Sequence, residues 1–344
     1  MQKPRTATAV SLTAVPLLAV ALFLSGCTSA ADPPRGPAPT SPGSVMGAVD
    51  RGKLKSLRKV DDHPLWVMRY DGTYDRLQEV RPPTVPPDAG FGCSLFFAYG
   101  NSKDPQFARN FDWQHGPALV LFTAPPDGYA SVSVVDTTYL GVRSDADFRA
   151  ERTRKGLLQA PLLPFDGMNA RGLAVGFASV DRADGPKSGR KVGSTRIVRI
   201  ILDRAATVGE ALRLFDDYEI DFTDSPPLHY FLADREGDSA VVELAGGRIK
   251  VAERGRKPWN GAVNFTFADT PAAERLKDWR YKAATGVLDG AKGVLNTGQS
   301  VDLLRTVAQQ HTQWSVVYGM TSGKVTLVTG QRWQTRHTFQ LPMG

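Results

Sequence analysis

Two apolar runs, "CSLFFAY" at 93–99 and "QFARNFDW" at 106–113, flank the turn-forming stretch "GNSKDP". Glycine, asparagine and proline at such a place fold the chain back on itself. The pair reads as a β-hairpin in which the numbers of opposed residues sum to about 204. The residue facing Cys93 then falls near 110–112, so Arg109 and Asp112 return beside the thiol through local structure alone. A guanidinium there favours thiolate over thiol, and a carboxylate can orient an amine or an imidazole. The same two residues could equally form an ordinary surface ion pair, and the hairpin by itself does not separate these readings.

Further along, strands are expected at 91–99, 106–112, 118–122, 129–135 and 172–179. "STRIVRIILDRA" and "TVGEALRLFDDY" carry helical apolar spacing, and Thr207 with Glu210 forms a capping-box pattern at the second. "LHYFLAD", "SAVVEL" and "RIKVAE" read as a meander, "AVNFTF" as a short strand, and 271–289 and 300–310 as helices. "QWSVVYGM", "KVTLVTG" and "RWQTRHTFQL" close the chain as three strands. Runs of strands separated from runs of helices imply an α+β fold of antiparallel sheets covered by helices, in one domain from about 46 to 344. Upstream, 46–58 reads as a short polar helix, and "LWVMRYDGTYDRL" as a strand or a hairpin turning at Asp71 and Gly72. Residues 81–90 are a proline-rich break, and 136–166, which lacks a clear pattern, is expected to shape the substrate site. There are no internal repeats.

At 344 residues, with 42% apolar and 22% charged residues, the chain can bury a self-supporting core. Its formal charge of +7 is spread over short clusters such as "RGKLKSLRK" and "ERGRK". No aromatic-interleaved basic motif and no zinc spacing occurs, which argues against nucleic-acid binding and indicates neither metal nor organic cofactor. Lys3 and Arg5 precede "AVPLLAVALFL", an apolar run too short to span a membrane, and "LSGC" closes it. This is an export signal. It is either cut near Ala30 or, since "LSGC" resembles the lipobox of bacterial lipoproteins, removed as residues 1–26 with lipid added to Cys27. The second reading puts the protein on the outer side of the cell membrane, with 27–45 as a proline-rich tether and 46–92 as a pre-segment, propeptide or small chain, ahead of a 93–344 catalytic domain.

With Cys27 in the lipid, Cys93 has no intramolecular disulfide partner, and it is either a reactive thiol or a small buried apolar residue. A nucleophilic cysteine needs a base and an oxyanion site. None of the five histidines (His63, His115, His229, His311 and His337) stands in a recognisable cysteine-protease context. A cysteine's own α-amine titrates close to neutrality and can take the thiol proton instead. That requires a cut between Gly92 and Cys93.

The segment "CSLFFAYGNSKDPQFARNFDW", with Cys93 sixteen positions before Arg109 and nineteen before Asp112, resembles the linear amide C–N hydrolases. This group of N-terminal-nucleophile enzymes includes bile salt hydrolases, penicillin V acylases, acid ceramidase-like amidases and penicillin acyltransferases. "FDGMNARGLAVGFASV", "LHYFLADREGDSAVVEL", "WNGAVNF" and "WSVVYGMTSGKVTLV" resemble its later motifs, in order, from about 91 to 340. The resemblance implies an αββα sandwich of two antiparallel sheets and a cysteine acylase of linear amides. Cys93 would be nucleophile and, once freed, base; Arg109 would stabilise the thiolate or touch the substrate carbonyl; Asp112 would orient the amine. Asn264 would turn a side-chain N–H to the oxyanion, and Arg280, with Arg275 as rival, would be the late arginine. Ser179 stands where bile salt hydrolases have an asparagine, and Asn169 reads as a turn residue. The expected partner is a small N-acyl amide with an apolar acyl chain, and the oligomeric state stays open. Acyl transfer to an amine, a non-catalytic envelope lipoprotein and an unprocessed Cys–His hydrolase are the alternatives.

Overall fold

The computed structural model describes residues 48–80, 92–223, 225–253 and 255–344, all within one unit, Ser44–Gly344. The export signal, Cys27, the tether and the break at 81–90 lie outside the described residues.

The hairpin forms as its alternation requires. Strand β3 (Gly92–Ala98) pairs antiparallel with β4 (Gln106–Asp112), with Cys93 opposite Phe111 and Leu95 opposite Arg109. Both strands are buried on both faces, which is why their sequences read as near-continuous apolar runs. Cys93, Leu95 and Phe97 enter the main core, whereas Phe96 and Ala98 face a second cluster.

Before the hairpin come α1 (Ala48–Lys53), β1 (Arg58–Asp61) and β2 (Leu65–Asp71). After it come β5 (Ala118–Ala124), β6 (Ser131–Asp136), β7 (Asp166–Asn169) and β8 (Leu173–Ser179). Helices α4 (Arg196–Arg204) and α5 (Val208–Asp217) follow a short β9 (Arg190–Gly193), and β10 (Tyr218–Asp221) pairs with β9. The meander is β11 (Leu228–Asp234), β12 (Ser239–Ala245) and β13 (Arg248–Glu253). The chain ends with β14 (Trp259–Ala262), α6 (Ala272–Arg275), α7 (Trp279–Gly290), α8 (Thr297–Thr306), β15 (Thr312–Gly319), β16 (Lys324–Thr329) and β17 (His337–Gln340).

These strands make a nine-stranded sheet, β1-β2-β5-β6-β7-β8-β11-β12-β13, and a six-stranded sheet, β14-β3-β4-β15-β16-β17. The sheets meet through the main core, where Phe107 of β4 stacks on Phe231 of β11 at 5.5 Å. Helices α4 and α5 cover the far side of the larger sheet, and α7 and α8 that of the smaller, giving the expected four layers. The larger sheet is mixed rather than antiparallel, because β2 and β5 run parallel, Leu65 opposite Ala118. The chain between them leaves to build the hairpin in the other sheet, and a strand returning from such a crossover arrives in the same direction.

Other expectations shift for identifiable reasons. The hairpin involving β2 lies upstream, with β1; at Gly72 (φ 104°) the chain leaves the sheet. The helix expected at 271–289 breaks, since Asp278 caps a new one by accepting the N–H groups of Arg280 and Tyr281. At α5, Thr207 Oγ1 accepts from Glu210, while the Glu210 carboxylate reaches back to Ala206, one residue before the cap. The 136–166 stretch folds into short helical pieces including α2 (Asp145–Arg149) and α3 (Glu151–Arg154). Its Phe148, Leu157 and Leu163 cover Trp66, Met68 and Leu121 in a separate apolar cluster, with Phe148 stacked on Trp66 at 4.2 Å.

Candidate active site

Cys93 is fully buried on the core face of β3. Arg109 pairs across the hairpin with Leu95, two residues along, which puts its guanidinium diagonally beside the thiol. Nη2 donates to Cys93 Sγ at 3.2 Å and to the Phe177 carbonyl at 3.0 Å. Nη1 donates to the Phe165 carbonyl at 2.5 Å and to Asp166 Oδ2 at 3.2 Å. Phe111 and Phe177 flank the cation at 4.9 and 5.2 Å from their ring centres.

Three side chains therefore fix three different atoms of one cysteine. Besides Arg109 on the sulfur, Asn264 Oδ1 accepts the Cys93 N–H at 2.8 Å, and Arg280 Nη1 donates to the Cys93 carbonyl at 3.0 Å. Arg280 also donates to Asn264 Oδ1 at 2.8 Å and is braced by Asp278 at 2.9 Å. Asn264 reaches the cysteine because β14 stops at Ala262, which is opposite Leu95. The next step of the register brings 264 opposite Cys93, and there a side chain replaces the backbone ladder. The strand expected through "AVNFTF" thus ends early, and its asparagine supplies the missing acceptor. Asn264 Nδ2 donates to the Ser179 carbonyl at 2.9 Å and to Ser179 Oγ at 3.0 Å, which ties the end of β8 into the same cluster. Arg275 is elsewhere, donating to the Thr270 and Phe267 carbonyls.

Asp112 stands one place back, opposite Gly92. Its Oδ1 accepts from Thr312 Oγ1 at 2.5 Å and its Oδ2 from Gln309 Nε2 at 2.6 Å. Asn169 closes the β7–β8 turn, accepting the N–H groups of Arg171 and Leu173. Four of the five histidines engage other groups: His63 packs on His115, His337 bonds Asp61, and His229 lies beside Glu243; His311 is near enough for its charge to act on Asp112. Among the described residues no hydrogen bond joins a histidine to Cys93.

Burial sets the electrostatics. It raises the Cys93 thiol above its ordinary value, and the nearby Asp112 charge adds to this; Arg109 and Arg280 pull the other way and do not overcome it. Burial likewise raises Asp112 and Asp166 above the usual carboxyl range, against the hydrogen bonds of Thr312 and Gln309 on the first and the charge of Arg109 on the second. The sequence reading overlooked Asp166, Gln309 and Thr312. Asp166 lies inside the quoted "DGMN" motif, and as the acceptor for Arg109, Trp314 and Tyr318 it anchors the guanidinium. Gln309 and Thr312 carry no motif; a loop brings in the first, and the start of β15, opposite Asp112, the second.

Residues 160–274 match the family model of acyl-coenzyme A:6-aminopenicillanic acid acyl-transferase. No curated protein sequence matches the chain. Penicillin V acylase from Agrobacterium tumefaciens is similar in structure at 19% identity and TM-score 0.51, over 72% of this chain and 85% of that one. A mutant of conjugated bile acid hydrolase from Clostridium perfringens is similar at 11% identity and TM-score 0.54, over 72% and 92%. A second variant of that enzyme gives 12% and 0.53 over the same shares. The chain thus shares the fold of these two hydrolases, and its residues 160–274 match the acyl-transferase model.

Proposed function

We propose that the protein is a self-processing cysteine acylase that cleaves a linear amide in an N-acyl substrate. The observation that carries this reading is the triple hold on Cys93: sulfur by Arg109, nitrogen by Asn264 and carbonyl by Arg280. Such a hold keeps the residue in place after the bond to Gly92 is gone. In processing, Sγ attacks the Gly92 carbonyl, the C–N bond breaks, and the thiol proton passes to the departing nitrogen. Water then hydrolyses the thioester, leaving a carboxylate on Gly92 and a free amine and thiol on Cys93. Before the cut that nitrogen is an amide without basicity and the thiol is held protonated by burial, so the precursor is dormant.

In catalysis the freed amine takes the thiol proton as Sγ attacks the substrate carbonyl, then returns it to the leaving amine. Asn264 Nδ2, exchanging a bond to Ser179 for one to the oxyanion, and a backbone N–H stabilise the tetrahedral intermediate. Water resolves the acyl-enzyme. The acyl-transferase family match favours a second reading, in which an amine takes the acyl group from the same thioester. The two Clostridium perfringens structures carry a cysteine-to-alanine and an arginine-to-leucine change sixteen positions apart, the separation of Cys93 and Arg109 here.

The pre-segment is read as a small chain that stays after processing. β2 is an interior strand of the nine-stranded sheet, with Leu65 and Met68 fully buried. With lipid on Cys27, that strand would tie the catalytic domain to the outer face of the membrane without a peptide bond. Mass spectrometry of the intact wild type and of Cys93→Ala tests all of this. The expected result is lipid on Cys27 in both, a cut between Gly92 and Cys93 in the wild type only, and release of acid from N-acyl amides by the wild type only. A wild-type chain that stays whole overturns the amine-as-base mechanism.

A further inference from the structure

Gly92 has a backbone that any residue adopts, since it is not among the glycines with positive φ. It is glycine for want of space. A β-carbon there would lie 1.8 Å from Gln309 Nε2, 2.9 Å from Gln309 Cδ and 3.0 Å from Asp112 Oδ2. The Gln309 side chain is tied at its tip to Asp112, and its backbone is tied on both sides. Nε2 donates to Asp112 Oδ2 at 2.6 Å, its backbone N–H donates to Thr312 Oγ1 at 2.9 Å, and its carbonyl accepts from Gln331 Nε2 at 2.8 Å and from the Thr312 N–H at 3.1 Å. Thr312 Oγ1 in turn donates to Asp112 Oδ1 at 2.5 Å. The loop between α8 and β15 thus sets the Gln309 amide against the α-carbon that precedes the nucleophile, and with Thr312 at the start of β15 it fills both oxygens of the carboxylate beside it.

We propose that Gln309 is the specificity-determining and positioning residue of self-processing: its amide reads the absent side chain of Gly92 and holds Asp112 beside the bond to be cut. This rests on the processing step proposed above. When Gly92 departs, Gln309 and Thr312 keep the Asp112 carboxylate at the edge of the vacated space, where the new amine of Cys93 finds it already oriented. Gln309 acts through Asp112 and through exclusion, and takes no part in bond making.

The rate of cutting, followed by intact mass in the full chain, tests this. Gly92→Ala is expected to slow the cut roughly 5- to 150-fold, the range for overpacking by one methyl group. Gly92→Ala combined with Gln309→Gly is expected to recover to within about twofold of Gln309→Gly alone. Gln309→Ser serves the same arm should the glycine loosen the loop, and thermal melting checks that each variant folds. Gln309→Glu, which sets a second carboxylate against Asp112, should move the acid limb of the mature enzyme's pH profile upward. Normal cutting of Gly92→Ala, absence of rescue by both smaller residues, or an unmoved pH profile overturns the proposal while leaving self-processing intact. A wild-type chain that is never cut overturns both.

Discussion

Arg109 and Arg199 are both fully buried, and each meets a buried aspartate, Asp166 at 3.2 Å and Asp203 at 2.7 Å. Around Arg199 the remaining partners are structural: Ser131 accepts from it, and Asp203 also takes the hydroxyl of Tyr74 and Nε of Arg76. Arg76 continues to Asp127 at 2.6 Å. This network pins the pre-segment to α4, and every partner is a carboxylate, hydroxyl or ring. Around Arg109 the corresponding places are taken by two carbonyls, one carboxylate and a sulfur. The same ion-pair chemistry serves attachment in one place and holds a thiol in the other. What differs is whether an ionisable thiol stands within reach.

That contrast is broken most sharply at the sulfur. Cys93→Ala should abolish cutting and hydrolysis together while leaving the melting temperature close to wild type, read by mass spectrometry, product assay and calorimetry. Arg109→Met should lower hydrolysis by roughly 10²–10³-fold, the scale for losing one preorganised charge or donor at a reacting centre, in steady-state assays of the cut enzyme. Asp203→Ala should leave the reacting residues in place but destabilise the fold by about 3–5 kcal/mol, since the buried Arg199 loses its counter-charge and Arg76 keeps only Asp127. Gel filtration after cutting should then separate the pre-segment from the catalytic domain, whereas in the wild type they co-elute.

The thiol sharpens the comparison further. In the uncut chain, trapped as Gly92→Val, alkylation of Cys93 should rise only above the ordinary thiol range. The folded state holds the proton more tightly than the unfolded one. The resulting stability is fully present below the unfolded value and is lost as pH rises through the folded one. The smallest effect belongs to the cap of α5. Thr207→Ala should cost about 1 kcal/mol of cap energy at α5 in urea unfolding, with hydrolysis unchanged.

Much of the fold was legible because it is local. Alternating apolar residues around "GNSKDP" specify the hairpin, and Cys93 opposite Phe111 matches the expected pairing sum. The amphipathic runs at 196–204 and 208–217 specify their helices for the same reason. Less of the site could be read this way. Arg109 and Asp112 follow from the hairpin, and Asn264 and Arg280 came from resemblance. Gln309 sits in a loop whose composition advertises nothing and Thr312 only opens β15, while Asp166 was legible only as part of a strand entry.

By itself the sequence determined which residues share a strand or a helix, since side-chain period and turn chemistry act over a few residues. Tertiary structure decided which strands are neighbours, and with that the parallel β2–β5 pair and the end of β14 that exposes Asn264 to Cys93. It also decided which way the Cys93 thiol shifts. Arg109 beside a thiol argues for thiolate from sequence, but complete burial costs the charged form more than the guanidinium returns, and burial is a property of the packed sheets.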